Sequence, residues 1–266
     1  MRKKILGMFS SALMVLSLFV AMPVKAANTT VRYIDSTEEL AEAIATQTEG
    51  ETWYISAGEY CLTKDDLSKY ADIKPGTSGQ GNWYFPIIED GISIIGQGDV
   101  TITTDYETQN GVWASQDFIS VWGDNVTIDN VDILSKKEQN KAIEVMGKDF
   151  TLKNSTIKKV DENGSGSIIF NSQDSAGDIG SAVLENVTLY SWVSTNYSET
   201  GTLTADNVTI DFRDNSYAGY YDEAYGYGWC PGIFNSSSNV KVNNTDMTIL
   251  VDSNIDLNGQ IFNDKL

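Results

Sequence analysis

Along most of the chain apolar residues occupy alternate positions, and in VTIDNVDIL (126–134) that beat slips by one residue at Asn130. Val126 and Ile128 keep one parity, Val131 and Ile133 the other. The slip returns in FTLKNSTI around Asn154, in AVLENVTL around Asn186 and in LTADNVTI around Asn207, and more weakly in VKVNNTDM around Asn244. All five stretches share one template: apolar-x-apolar-x-Asn-apolar-x-apolar. Side chains on a strand alternate faces, so apolar residues on both sides of a parity change cannot point inward from one straight strand. The chain must bend at the Asn. Asparagine tolerates the left-handed backbone region better than other non-glycine residues, and its amide can hydrogen-bond to a copy stacked one repeat away.

The corners lie 24, 32, 21 and 37 residues apart, from Asn130 through Asn154, Asn186 and Asn207 to Asn244. Periods of this size signal a solenoid. The shortest leave room for about three short strands and their turns per coil, and the longer ones carry insertions. The beat of two and the Val, Ile and Thr content exclude helical repeats. The pattern predicts an all-β fold, a parallel β-solenoid.

DSTEELAEAI (35–44) breaks the beat: Ser36 and Glu39 form a capping box, and Leu40, Ala43 and Ile44 follow at helical spacing. Such a helix would cover the open N-terminal end of the coil, whose bare edge otherwise invites strand pairing. ETWYISAGEYCL (51–62) then reads as a first rung, with Trp53, Ile55 and Ala57 inward, and ISIIGQGDVTI (92–102) as a second.

The first residues stand apart. Arg2, Lys3 and Lys4, an apolar run from Ile5 to Met22 and the exit Val24-Lys25-Ala26 read as a secretory signal peptide, residues 1–26. A retained anchor is the competing reading, because the run is almost long enough to span a bilayer. The Val-x-Ala exit favours cleavage, and so a secreted, soluble chain of residues 27–266 that forms one β-helical domain. Removing the leader takes four of the 18 basic residues and leaves 14 against 37 acidic, a net −23. Such a surface repels nucleic acid and anionic lipid. Histidine is absent, which excludes Ser-His and Cys-His nucleophiles and every His-ligated metal. Cys61 and Cys230 are too far apart to define a disulfide framework or a zinc spacing. Export permits a bond between them, but the sequence favours two buried thiols.

The cap helix, the Trp53-Tyr54-Ile55-Ser56-Ala57-Gly58-Glu59-Tyr60 rung, the Ile92-to-Gly98 rung and the Asn-cornered coils resemble the right-handed parallel β-helix proteins of the pectate lyase-like superfamily, over most of residues 31–255. Gly58, Glu59 and Tyr60 match the Gly-x-Tyr of its first rung, and Asn130, Asn154, Asn186 and Asn207 match its internal asparagine ladder. The resemblance implies a single right-handed β-helix with an N-terminal capping helix, and leaves chemistry open, since the superfamily spans lyases, hydrolases, epimerases and adhesins. Its Arg-x-Pro-x-x-Arg stretch is missing; Arg32 and Arg213 are the only arginines after the leader. The aspartate clusters with histidine are missing too, and VWGDN (121–125) lacks the His that follows a lyase Trp-x-Asp segment. No catalytic residue is carried over.

The outward columns offer candidates of their own. Four residues after each Asn stand Leu134, Lys158, Tyr190 and Asp211, and six after stand Lys136, Val160, Trp192 and Arg213. If the strands run that far, these columns stack about 4.8 Å apart. Aromatic rings beside charged groups suit a sugar ring and its carboxylate. DNSYAGYYDEAYGYGWCPGIF (214–234) follows, with Tyr217, Tyr220, Tyr221, Tyr225, Tyr227 and Trp229. That composition suits either a binding wall or rings packed back on the coil. In a lyase, Arg213 or Lys158 would remove the proton α to a uronate carboxyl, with Asp211, Asp214 and Asp222 as oxygen ligands for Ca²⁺. Arg213 could instead be neutralised by Asp211 and Asp214 as surface ion pairs. The sequence therefore points to a monomer that binds polysaccharide or cell-surface glycan and is of lyase type if catalytic. A non-catalytic adhesin-type module is the alternative, and a purely structural filler is a third class.

Overall fold

The computed structural model describes residues 30–63, 66, 85–104, 117–135, 141–159, 167–170, 177–190, 192–195, 198–211, 213, 221–222, 227–228, 232–234, 239–250 and 262–263. The leader and Lys136, Val160, Asp214, Tyr217, Tyr220, Tyr225, Trp229 and Cys230 lie outside the described residues, as do the side chains of Tyr221, Asp222 and Tyr227.

The described elements are β1 (Val31–Ile34), α1 (Thr37–Ala45), β2 (Thr52–Leu62), β3 (Phe85–Ile87), β4 (Ser93–Thr104), β5 (Asp117–Val121), β6 (Thr127–Asp129), β7 (Asp132–Ser135), β8 (Lys141–Val145), β9 (Thr151–Lys159) and β10 (Ile168–Phe170). They continue with β11 (Asp178–Leu189), β12 (Trp192–Ser194), β13 (Thr200–Asp211), β14 (Tyr221–Asp222), β15 (Tyr227–Gly228), β16 (Gly232–Phe234), β17 (Val240–Asn244), β18 (Met247–Leu250) and β19 (Phe262–Asn263). The protein is all-β with one helix among the described residues. Its strands form a ten-stranded and a seven-stranded sheet, both parallel, beside a two-stranded antiparallel ribbon of β14 and β15. From β2 to β19, that ribbon apart, the chain passes back and forth between the two large sheets, and each return pairs with the strand laid down one pass earlier. This winding is compatible with a parallel β-solenoid.

The slip at asparagine is a corner. Asn130, Asn154, Asn186 and Asn207 have φ of 55°, 51°, 53° and 51°, so the chain turns there through the left-handed region. Along β11, Ala182 and Leu184 are buried, Glu185 and Asn186 exposed, and Val187 and Leu189 buried again. Leu152, Leu184 and Ala205 share one inward column, and Ile157, Leu189 and Ile210 share another. Ser155 occupies the apolar place after its Asn and is buried. Its hydroxyl donates to Lys153 O at 2.8 Å and accepts from Val131 N at 3.2 Å, which satisfies a polar group where its neighbours are valines. Aromatic rings meet across the interior, Trp53 on Phe85 from the two sheets and Phe150, just before β9, against the edge of Phe170.

Three expectations change. The ladder runs Asn207 to Asn186 at 2.8 Å and Asn186 to Asn154 at 3.0 Å, but Asn154 then donates to Asp129. Asn130 donates instead to Gly96 O and Gly98 O, because the preceding coil turns through glycines and offers no side-chain amide. Asn244 is not a corner. It pairs with Ala205, two residues before Asn207, so its side chain enters an inward column, and its buried Oδ1 has no hydrogen-bond partner. That register sets Met247 on Val208 and Ile249 on Ile210, and partly buries both. Ala57 is exposed rather than inward, since the first rung turns after Ile55.

A second left-handed column lies at the opposite corner, and the sequence reading had not anticipated it. Gly50, Gly91, Asn125 and Asp149 have φ of 75°, 72°, 58° and 57°, and each backbone N–H donates to a carbonyl of the next coil. Each of Asn125 and Asp149 stands five residues before its ladder Asn, a spacing present in the sequence once the first corner is known.

At the N-terminal end α1 buries Leu40, Ala41, Ala43 and Ile44. Glu39 N donates to Ser36 Oγ at 3.2 Å, and the Glu39 carboxylate reaches back to Asp35 N at 2.8 Å, a capping box displaced by one residue.

Candidate functional site

Because the large sheets are parallel, the last strand of each pass through the first sheet from β2 to β18 ends at the same corner, and the connections leaving it are unequal, from two residues to 22. They span residues 63–84, 105–116, 136–140, 160–167, 190–191, 212–231 and 251–261. The returns from the second sheet are short and almost uniform, spanning 88–92, 122–126, 146–150, 171–177, 195–199 and 235–239. Insertions in a repeat fold that gather on one side mark the side free to vary while the scaffold stays rigid.

The candidate residues fall at this corner. Leu134 pairs with Lys158, and Asp211 pairs with Leu250 at the ends of adjoining strands. Tyr190 directly follows Leu189, which pairs with both Ile157 and Ile210, so it lies between Lys158 and Asp211. The column four residues after each Asn is therefore assembled. The column six residues after is not one straight stack: Trp192 opens β12 in the second sheet, beside Gly232, while Arg213 follows β13 in the first. Tyr190 and Trp192 are both half-buried. Tyr221, Asp222 and Tyr227 belong to the antiparallel ribbon within the 212–231 connection, with Tyr221 opposite Gly228 and Asp222 opposite Tyr227.

Both basic candidates sit in ion pairs. Lys158 Nζ lies 2.6 Å from Asp132 Oδ2. Arg213 grips Asp211 with two nitrogens, Nε to Oδ1 at 2.8 Å and a terminal nitrogen to Oδ2 at 2.6 Å. The Asp211 side chain is nearly buried while that of Arg213 is half exposed. Asp132 was not singled out from sequence; it is the outward residue two places after the Asn130 corner, where other coils carry Thr. Its carboxylate also accepts from Thr156 N.

Of the residues expected to hold Ca²⁺, only the Asp211 side chain lies among the described residues. Both Asp211 oxygens face Arg213, and no group of three His, Cys, Asp or Glu side chains among the described residues could hold an ion. Cys61 is partly exposed on β2.

The outward positions of the second sheet depart from the usual one-sided burial of such a sheet. Ser120, Glu144 and Ser194 point away from the interior, yet they are buried. Nothing in the sequence marks them, because a polar residue between apolar neighbours reads as an ordinary outward position. No protein-family model, curated protein or solved structure matches the chain.

Proposed function

We propose that this is a secreted right-handed parallel β-helix protein of the pectate lyase-like kind that binds polysaccharide or cell-surface glycan at the corner where the long connections leave. The carrying observation is the one-sided distribution of those connections around a regular stack, with Tyr190 and Trp192 half-buried beside Lys158 and the Asp211–Arg213 pair. Tyrosine and tryptophan offer rigid faces for sugar rings, and the charged groups around them offer directional hydrogen bonds. The Tyr-rich 212–231 connection follows β13 directly in the chain.

Binding without cleavage is the reading that the ion pairs favour. A lyase base must be free to take a proton at the reacting carbon, whereas Lys158 and Arg213 are each engaged by a carboxylate. The test is a glycan array followed by calorimetry on the mature protein, with Trp192→Ala and Tyr190→Ala in parallel. Saturable binding weakened by either change supports the reading; wild-type affinity in both variants refutes the site. Release of unsaturated products from a uronic-acid polysaccharide, seen by ultraviolet absorbance, would establish the lyase alternative instead.

A further inference from the structure

The N-terminal end carries a polar cluster at the head of an apolar column. Glu51 precedes β2 and stands one coil above Ile92, at the head of an inward column that continues as Val126, Phe150, Ala182 and Leu203. It is a carboxylate in an apolar column, 1% exposed. Arg32 reaches it from β1, with Nε and a terminal nitrogen 2.9 and 2.8 Å from Oε1. Trp53 Nε1 donates to Oε2 at 2.9 Å. The same guanidinium donates to the Thr46 hydroxyl at 2.7 Å and to the Thr46 carbonyl at 2.6 Å, at the C-terminal cap of α1. The last turn of α1 has no basic residue of its own, so Arg32 supplies the cation that a helix C-terminus favours. One guanidinium thus ties β1, the end of α1 and the first coil together. β1 covers β2 only along Thr52–Ile55.

We propose that the Arg32–Glu51 pair is an acid-released latch: protonating Glu51 loosens β1 and α1 as a unit, while the coils beneath stay folded. A neutral Glu51 loses its charge-assisted bonds and leaves the Arg32 guanidinium with the Thr46 contacts alone. The apolar seat of Leu40, Ala41, Ala43 and Ile44 remains, so the cap opens more often rather than detaching. Opening bares the Thr52–Ile55 edge, a template for another strand.

Arg32 is the charge that acts on Glu51. Glu38, Glu39 and Glu42 on α1, Glu49 in the turn and Asp35 after β1 are all exposed, and β2 brings the neutral Trp53. Burial pushes the Glu51 carboxyl up, but hydrogen bonds from Trp53 and Arg32 and the charge of Arg32 outweigh it, so the group titrates below the ordinary glutamate value. Stability from a depressed carboxyl is fully present above its unfolded value and is lost as pH falls through the folded one. The latch therefore holds at neutral pH and yields in acid.

Hydrogen exchange with peptide-level mass readout on the mature protein tests this. In Glu51→Gln at neutral pH, protection over residues 31–46 falls by about tenfold or more, while protection over 182–210 is unchanged. If that variant fails to fold, an acid titration of the wild type decides: the cap must lose protection before the 182–210 segment does. Wild-type protection in Glu51→Gln, or simultaneous loss in both segments on acidification, overturns the latch.

Discussion

Asn186→Ala, set against Asn244→Ala, separates a corner from a sequence that only looks like one. At Asn186 the backbone sits at φ 53°, and the amide donates to Asn154 and accepts from Asn207. Alanine in the left-handed region costs about 1–2 kcal/mol. Each of the two lost bonds is solvent-exposed, so each contributes toward the lower part of about 0.5–1.5 kcal/mol. The expected loss is roughly 2–4 kcal/mol, combining those two terms. Asn186→Gly keeps the backbone region and loses only the ladder and some chain entropy, so it falls less than Asn186→Ala. Asn244 carries the same template, yet it lies outside the left-handed region, and its buried Oδ1 is unsatisfied. Its replacement by Ala removes a buried polar group without a partner, and stability changes by no more than about 0.5 kcal/mol or rises. Urea denaturation of the mature protein, comparing midpoints at constant slope, gives both numbers. An Asn244→Ala loss equal to that of Asn186→Ala, or an Asn186→Ala change below about 0.5 kcal/mol, would refute the assignment of corners.

Three further outcomes follow from the packing. Arg32→Met strands the buried Glu51 carboxylate and lowers stability by about 3–5 kcal/mol, toward the lower end because Arg32 is partly exposed; the deficit shrinks as pH falls, beginning where the unpaired carboxyl takes a proton and ending as pH passes the lowered wild-type folded value, as denaturation across pH will register. Gly96→Ala puts a methyl 1.9 Å from Asn130 O and disrupts the stacking of the second coil on the third, whereas Gly50→Ala, with no atom within 4 Å but φ of 75°, bears backbone strain alone. Thermal melts will rank Gly96→Ala far below Gly50→Ala. Burial, then the charges of Asp35 and Glu39, raise the Tyr60 phenol above its ordinary value. Its contribution is complete below the unfolded tyrosine value and is lost as pH rises through the folded one, so Tyr60→Phe flattens the alkaline limb of the stability profile.

Much of the architecture was legible because strand parity is a local property. A one-residue slip at Asn130, Asn154, Asn186 and Asn207 dictates a bend wherever both flanks are apolar, and the Ser36 and Glu39 pairing dictates a helix start. The second left-handed column was harder to read, since its places are filled by Gly50, Gly91, Asn125 and Asp149, and no single residue type repeats. Lys158 and Arg213 were legible as basic groups on an outward column. Their partners were only half so: Asp211 lies two residues from Arg213, but Asp132 meets Lys158 from a different coil.

By itself the sequence determined the bends at Asn130, Asn154, Asn186 and Asn207, the inward face of the strands that flank them and the helix at the N-terminal end, because these follow from alternation and capping within a few residues. Only the tertiary structure decided the register of the last coil, where pairing Asn244 with Ala205 outweighed the local template by seating Met247 and Ile249 on Val208 and Ile210. It also decided that Arg32 and Glu51, 19 residues apart, close on one another over the end of the stack. Stacking is a relation between distant segments, and its energy is spread over whole coils, so no short window of residues contains it.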